Sequence, residues 1–181
     1  METFSAVVSG GEIVVPALNE ANSLYQDGYG SLLRDRKVLS IQPFEALYLV
    51  ERGKVSVFDE ETRDRLVFQE LLQRLSCPDP EIWTRYLVYR DLRTRGFVVK
   101  AHSGSGVSFL VYERGSYGKK LPKYLVHAVW EGSHETLSSL SEVLDTAVDA
   151  DKILRLAVVD RRGEIVYYTL SDKGFREQDP R

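Results

Sequence analysis

Apolar residues recur along this chain at two different periods, and each change of period marks an element. Residues 13–15 form a brief apolar run that stops at Pro16. Asn19 then offers a cap for a short helix through Tyr25, which Asp27-Gly28-Tyr29-Gly30 breaks as a turn. Ser40-Ile41-Gln42-Pro43 leads into residues 44–50, where Phe44, Leu47 and Tyr48 fall on one helical face, and Gly53 is placed to end that helix. Residues 54–58 alternate polar and apolar, as a half-buried strand does. Over 61–75 the apolar positions Leu66, Val67, Leu71 and Leu75 follow a helical period.

Ser76-Cys77-Pro78-Asp79-Pro80 interrupts the pattern, because two prolines within three residues bar a continuous helix. Asp79 as cap and Pro80 as first helical residue predict a new helix carrying Ile82, Tyr86, Leu87 and Tyr89, reaching Arg95 and stopping at Gly96. The period then turns to that of strands, at 97–100, 107–112 and 124–130. Residues 136–150 read as a helix, with Leu137, Leu140, Leu144 and Val148 on one stripe. Two further strands, 153–159 and 165–170, flank a hairpin-like turn at 160–164. Residues 103–106 are expected to be a flexible loop, and the polar tail 175–181 is expected to fray. The expected fold is mixed α/β: a small N-terminal α/β domain over 1–75, then a C-terminal domain over 80–181 with a mixed sheet flanked by helices.

Composition narrows the function classes. The 181 residues are 43% hydrophobic, with mean hydropathy −0.25, enough to build a core. The 24 basic and 27 acidic residues leave a net charge of −3, so any nucleic-acid contact must come from local basic patches. One cysteine, Cys77, excludes an internal disulfide, and three scattered histidines suggest no zinc site; no metal and no cofactor are expected. No apolar run approaches the roughly 20 residues that span a bilayer, and a signal-peptide start is lacking, so a cytoplasmic protein is expected.

Four stretches carry a family resemblance. Tyr89-Arg90-Asp91-Leu92-Arg93-Thr94-Arg95-Gly96-Phe97-Val98-Val99-Lys100 looks like the helix-to-strand signature of tRNA-intron endonucleases. Phe109-Leu110-Val111-Tyr112-Glu113-Arg114-Gly115 resembles the strand bearing that family's tyrosine. Ala157-Val158-Val159-Asp160 with Ile165-Val166-Tyr167-Tyr168 looks like its last two strands. Leu24-Tyr25 through Tyr29-Gly30, with residues 43–50, resembles its accessory domain. Their order and separations identify the chain as similar to the archaeal tRNA-splicing endonucleases over nearly its whole length.

That resemblance implies metal-independent RNA cleavage, in which a ribose 2′-hydroxyl attacks the adjacent phosphate to leave a 2′,3′-cyclic phosphate and a 5′-hydroxyl. Such a reaction needs a base, an acid for the leaving oxygen and a cation beside the extra negative charge, roles the family gives to tyrosine, histidine and lysine. Tyr112 matches the tyrosine and Lys152 the lysine. The histidine position, three residues before the aromatic Tyr124, is Leu121, followed by Pro122. Neither has a proton to give, and His127 is six residues on, roughly 20 Å along an extended strand. Asp151 precedes Lys152, and Asp145 stands where the family clasps bulged RNA; with Asp149 they repel phosphate. Tyr112 also reads as a structural strand tyrosine, and Lys152 as a complement to a helix C-terminus.

The resemblance therefore implies a structural subunit of a heterotetrameric enzyme, two plus two, that supports a separate catalytic subunit on precursor tRNA. Two rivals stand beside it: a catalytic subunit with a substitute acid, and a stand-alone RNA-binding module. Arg114, Lys119, Lys120 and Lys123, with Tyr117 among them, form a basic loop suited to phosphate contacts, or simply a solvated one. Family subunits pair through their last strands and insert an acidic loop into the opposite dimer. The candidate contacts are Asp160, Arg161, Arg162 and Glu164 in the 160–164 turn and Tyr167 and Tyr168 on the closing strand, although the two arginines depart from an acidic pattern and a plain hairpin turn is the alternative.

Overall fold

The computed structural model describes residues 3–102 and 106–171; residues 103–105 and the tail named above lie outside the described part. Backbone contacts divide the chain into two compact units, Met1–Tyr89 and Arg90–Arg181. The mixed α/β architecture expected from the changing periods is present in each.

The first unit has strands β1 (Phe4–Ser9), β2 (Glu12–Val15), β3 (Ser31–Leu33), β4 (Val38–Ile41), β5 (Val55–Asp59) and β6 (Arg65–Leu66), with helices α1 (Leu18–Gln26), α2 (Pro43–Glu51) and α3 (Phe68–Ser76). Its sheet runs β3-β4-β2-β1-β5-β6, antiparallel except for the parallel pair β1 and β5. Ala6, Val8, Ile13, Val15, Leu24, Leu39, Leu47, Leu49, Val57 and Leu71 are buried in its core. Glu45 is buried among them with a structural task. Its carboxylate accepts the Gln42 N–H at 2.8 Å, closing the first turn of α2, and the Gly30 N–H at 3.1 Å. Gly30 has φ +58°, and a Cβ there would stand 2.5 Å from the Ser40 carbonyl oxygen, so the close approach requires glycine.

Two sequence expectations are corrected in this unit. Helix α1 begins at Leu18 with Ala17 as its cap, in place of a start at Asn19. The helix expected over 61–75 begins only at Phe68, because a hairpin uses the residues before it. Asp59 accepts hydrogen bonds from the backbone of Glu61 and Thr62, Arg63 takes φ 65°, and β6 folds back on β5. Glu70 then accepts the Val67 N–H at 3.0 Å and fixes the helix start.

Helix α4 (Ile82–Thr94) contains the division between the units. Its opening half belongs to the first unit because Tyr86 packs on Phe68 and Tyr89 on Phe44 and Tyr48, at ring separations of 5.0–5.6 Å. Asp79 does hold the approach, accepting the Glu81 N–H through its side chain and the Ile82 N–H through its carbonyl, but this tight turn delays the helix past Pro80. Gly96 ends it as expected, with φ +87° and the Phe97 N–H donated to the Leu92 carbonyl.

The second unit holds β7 (Val98–Ala101), β8 (Phe109–Tyr112), β9 (Tyr124–Trp130), α5 (Leu137–Asp149), β10 (Ile153–Val159) and β11 (Ile165–Leu170). The sheet order is β11-β10-β9-β8-β7, with β9 and β10 parallel and every other pair antiparallel. A parallel pair needs a crossover, and α5 supplies it. The buried stripe of α5 is Val143 and Ala147, packed on Val107, Leu125 and Leu154, with Leu144 at its side. The expected stripe was rotated by about one position: Val148 is 60% exposed. The Thr136 hydroxyl oxygen caps α5 by accepting the Ser139 N–H.

Candidate functional site

The site is built where three strands share one end. Val111 of β8 stands opposite Tyr124 of β9, which stands beside Ile153 of β10. The Lys123 N–H donates to the Val111 carbonyl and the Ile153 N–H to the Lys123 carbonyl, each at 3.0–3.1 Å. The next position on each chain is Tyr112, Lys123 and Lys152. Residues 40 apart in sequence thus meet at one sheet end, and the lysine of the loop stands between Tyr112 and Lys152.

Tyr112 is half-buried, with the Tyr117 ring set edge-to-face against it, centroids 5.0 Å apart. Lys100, on the same face two positions from Val98, reaches over the Tyr117 ring at 5.4 Å. Residues 113–120 are held in two successive tight turns: the buried Ser116 donates its hydroxyl and its N–H to the Glu113 carbonyl, and Lys119 and Lys120 donate their N–H groups to the Ser116 carbonyl. Lys119 and Lys120 are exposed at the tip. Arg114 lies over the Phe97 ring at 5.2 Å, and Lys123 donates to Glu113 at 2.6 Å. That contact holds the Glu113 carboxyl below the ordinary range and raises the Lys123 ammonium above its own.

Leu121 is 84% exposed, close to the Tyr112 end of the sheet. The histidines lie elsewhere. His127 is inside β9, its side chain only 14% exposed and 3.7 Å from Glu135. His102 follows the far end of β7 and His134 the far end of β9. Lys152 follows α5: its N–H donates to the Ala147 carbonyl, and its ammonium is 3.4 Å from the Ala150 carbonyl. Asp145 and Asp149 are exposed on the same helix. Among the described residues, no group of three or more His, Cys, Asp or Glu side chains is arranged to hold a metal ion.

The 160–164 turn is organised by its first residue. The Asp160 carboxylate accepts the Arg162 and Glu164 N–H groups at 2.8 and 2.9 Å. Arg161 reaches Glu131, its Nε 3.0 Å from Oε1, which gives this arginine a place within the fold. On β11, the Tyr167 hydroxyl donates to Asp91 at 2.7 Å and its ring lies under Arg95. Burial, with Asp91 second, pushes the Tyr167 hydroxyl far above the usual tyrosine range. Val166 and Tyr168, on the opposite face, are 53 and 45% exposed. Lys100 and Glu113 were passed over in the sequence, though strand alternation puts Lys100 on the face of Tyr112, and Glu113 is its neighbour in the chain.

Comparison with known proteins covers both units. Residues 4–72 match the tRNA intron endonuclease, N-terminal domain, and residues 82–167 match the tRNA intron endonuclease, catalytic C-terminal domain. Among similar proteins, the tRNA-splicing endonuclease of Methanococcus vannielii is 33% identical over 169 residues, 93% of this chain and 94% of that protein. The tRNA-splicing endonuclease of Methanothermobacter thermautotrophicus is 34% identical over 162 residues, 88% and 92% of the two chains. That of Pyrococcus abyssi is 31% identical over 164 residues, 90% and 92%.

Proposed function

The chain belongs to the tRNA intron endonuclease family, and from that premise we propose that it is the structural subunit of a tRNA-splicing endonuclease, pairing two plus two with a separate catalytic subunit on precursor tRNA in the cytoplasm. The observation that carries this reading is the exposed Leu121, with Pro122 behind it, where the resemblance calls for a histidine. Cleavage by 2′-hydroxyl attack leaves a 5′-alkoxide that must be protonated as it departs. Hydrocarbon at that position has no proton to transfer, and no histidine of the chain stands at the Tyr112 end of the sheet. The acidic run Asp145, Asp149 and Asp151 opposes phosphate near Lys152.

What remains suits support. Lys119 and Lys120, with Arg114 and Lys123, present a basic loop for phosphate contact. The closing strand β11 is a sheet edge bearing exposed Val166 and Tyr168, as a surface for strand pairing with another chain would. In the 160–164 turn, Asp160 shapes the loop that would dock, leaving Arg162 and Glu164 as the side chains to meet a partner. We place the functional division at the proline-bearing segment 76–80, between domains 1–75 and 80–181, a reading supported by the gap between the family matches, which end at 72 and begin again at 82.

The test is cleavage of an intron-containing precursor tRNA without divalent metal, by this chain alone and mixed with a catalytic subunit. Activity is expected only in the mixture, unchanged by Tyr112→Phe in this chain and abolished by the equivalent change in the partner. Robust cleavage by the pure chain would overturn the assignment.

A further inference from the structure

The 160–164 turn carries as many guanidiniums as carboxylates, Arg161 and Arg162 against Asp160 and Glu164, whereas a loop suited to a uniformly basic groove would be acidic throughout. Its geometry decides which of these charges face outward. The Gly163 N–H donates to the Asp160 carbonyl and Gly163 takes φ 79°, so Arg161 and Arg162 are the two central residues of the tip. The Asp160 carboxylate is occupied by the N–H groups of Arg162 and Glu164. Glu131, the residue after β9, is fixed by its own N–H to the Val159 carbonyl at 2.9 Å. From there one carboxylate oxygen, Oε1, accepts both the Arg161 N–H at 3.2 Å and the Arg161 Nε–H at 3.0 Å. Main chain and side chain of Arg161 are thus tied to a single atom of the neighbouring turn. Arg162 and Glu164 are exposed, and neither has an ion-pair partner among the described residues.

We propose that this turn docks into a partner-subunit pocket of mixed sign, a carboxylate facing Arg162 and a cation facing Glu164, with Glu131 as the positioning residue that holds Arg161 out of that contact. This rests on the docking of the turn proposed above, and names the chemistry of the surface it meets. A guanidinium buried on docking loses its hydration, so Arg162 needs an anion across the interface. Glu164 needs a cation by the same argument. A loose Arg161, adjacent in the chain, would compete for the carboxylate that Arg162 requires. The two bonds to Glu131 remove that competitor by direction. The Arg161–Glu131 pair is exposed, so solvent screens it and its contribution to the stability of the isolated chain is small. Its effect falls on association, because a side chain already held in place loses less freedom when the turn docks.

The sign of the pocket is read by reversing each charge of the turn in the full chain. Association with a purified catalytic subunit is measured by titration calorimetry for wild type, Arg162→Glu, Glu164→Arg, Glu131→Ala and Glu131→Gln. Arg162→Glu and Glu164→Arg are each expected to weaken association on the order of a hundredfold, because each sets like charges against one another. Glu131→Ala is expected to weaken it about fivefold, with the thermal midpoint of the isolated chain unchanged. Glu131→Gln should restore wild-type affinity, since an amide oxygen accepts the same two hydrogen bonds. Tighter association of Arg162→Glu would mean a uniformly basic pocket and overturn the proposal, while the docking of the turn would stand. A Glu131→Ala chain that associates as wild type does, that loses affinity only together with its thermal midpoint, or that Glu131→Gln does not rescue, would overturn the positioning role. Wild-type affinity in both charge-reversal variants would remove the docking turn itself and this proposal with it, leaving the pairing through β11 to its own test. No association of the wild-type chain would remove the subunit reading and this proposal together.

Discussion

Asp59 shows how much of a local structure one carboxylate can set. It pairs with Arg74 of α3 and accepts the N–H groups of Glu61 and Thr62 in the turn that starts β6. The Arg74 guanidinium first, and the Thr62 N–H next, pull its pKa down to about 2. A carboxyl whose folded pKa lies below its unfolded value near 3.8 contributes stability that is fully present above that unfolded value. The contribution is lost as pH falls through the folded pKa. The stability difference between wild type and Asp59→Asn, measured by urea unfolding, should therefore be constant from neutrality to about pH 5, and shrink between roughly pH 4 and 2. A difference that did not change over that interval would mean the ion pair contributes nothing in the folded state. At the same scale, Tyr112 and Lys152 are candidates named by their sequence contexts, whereas the contacts of Glu113 with Lys123 and of Lys100 with the Tyr117 ring come only from the tertiary structure.

Elements here end where the backbone takes an unusual turn. Helix α5 closes with Asp151 at φ 52°, the Asp151 N–H donating to Val148 and the Lys152 N–H to Ala147. That closure is normally glycine's, and a residue with a Cβ is strained in it. Asp151→Gly should stabilise the protein by about 0.5–1 kcal/mol, read as a higher midpoint in denaturant. No gain, or a loss, would show that the Asp151 side chain contributes something its geometry does not reveal. Gly53 and Gly96 were readable as helix ends because glycine announces itself; Asp151 does not. The late start of α3 was hidden for a similar reason. Leu66 and Val67 fit a helical period, and only the pairing of β6 with β5 fixes Arg65 and Leu66 as strand.

For the whole molecule, the proposed assembly turns on the closing edge. Val166 and Tyr168 are exposed on one face of β11, whereas Tyr167 is already engaged by Asp91 and Arg95 within the unit. An assembly through this edge should fail when charge is placed on its apolar face. Val166→Lys is expected to weaken association with a catalytic subunit on the order of a hundredfold, because an unpaired ammonium would be buried. Light scattering should then show smaller species from a mixture that otherwise forms the full assembly, with the circular dichroism of the isolated chain unchanged. An assembly of undiminished mass would move the interface away from β11.

Most strands and helices, the mixed α/β class and the family itself were determined by the sequence, because alternation, helical period and glycine stops act within a few residues and survive without knowledge of the fold. The burial face of α5, the hairpin before α3 and the company of each charged side chain were decided by tertiary structure. Burial depends on which surface an element meets: Val143 and Ala147 are inside because Val107, Leu125 and Leu154 lie opposite them. The meeting of Tyr112, Lys123 and Lys152 is of this second kind, since it requires the register of three strands whose pairing partners lie far apart in the chain.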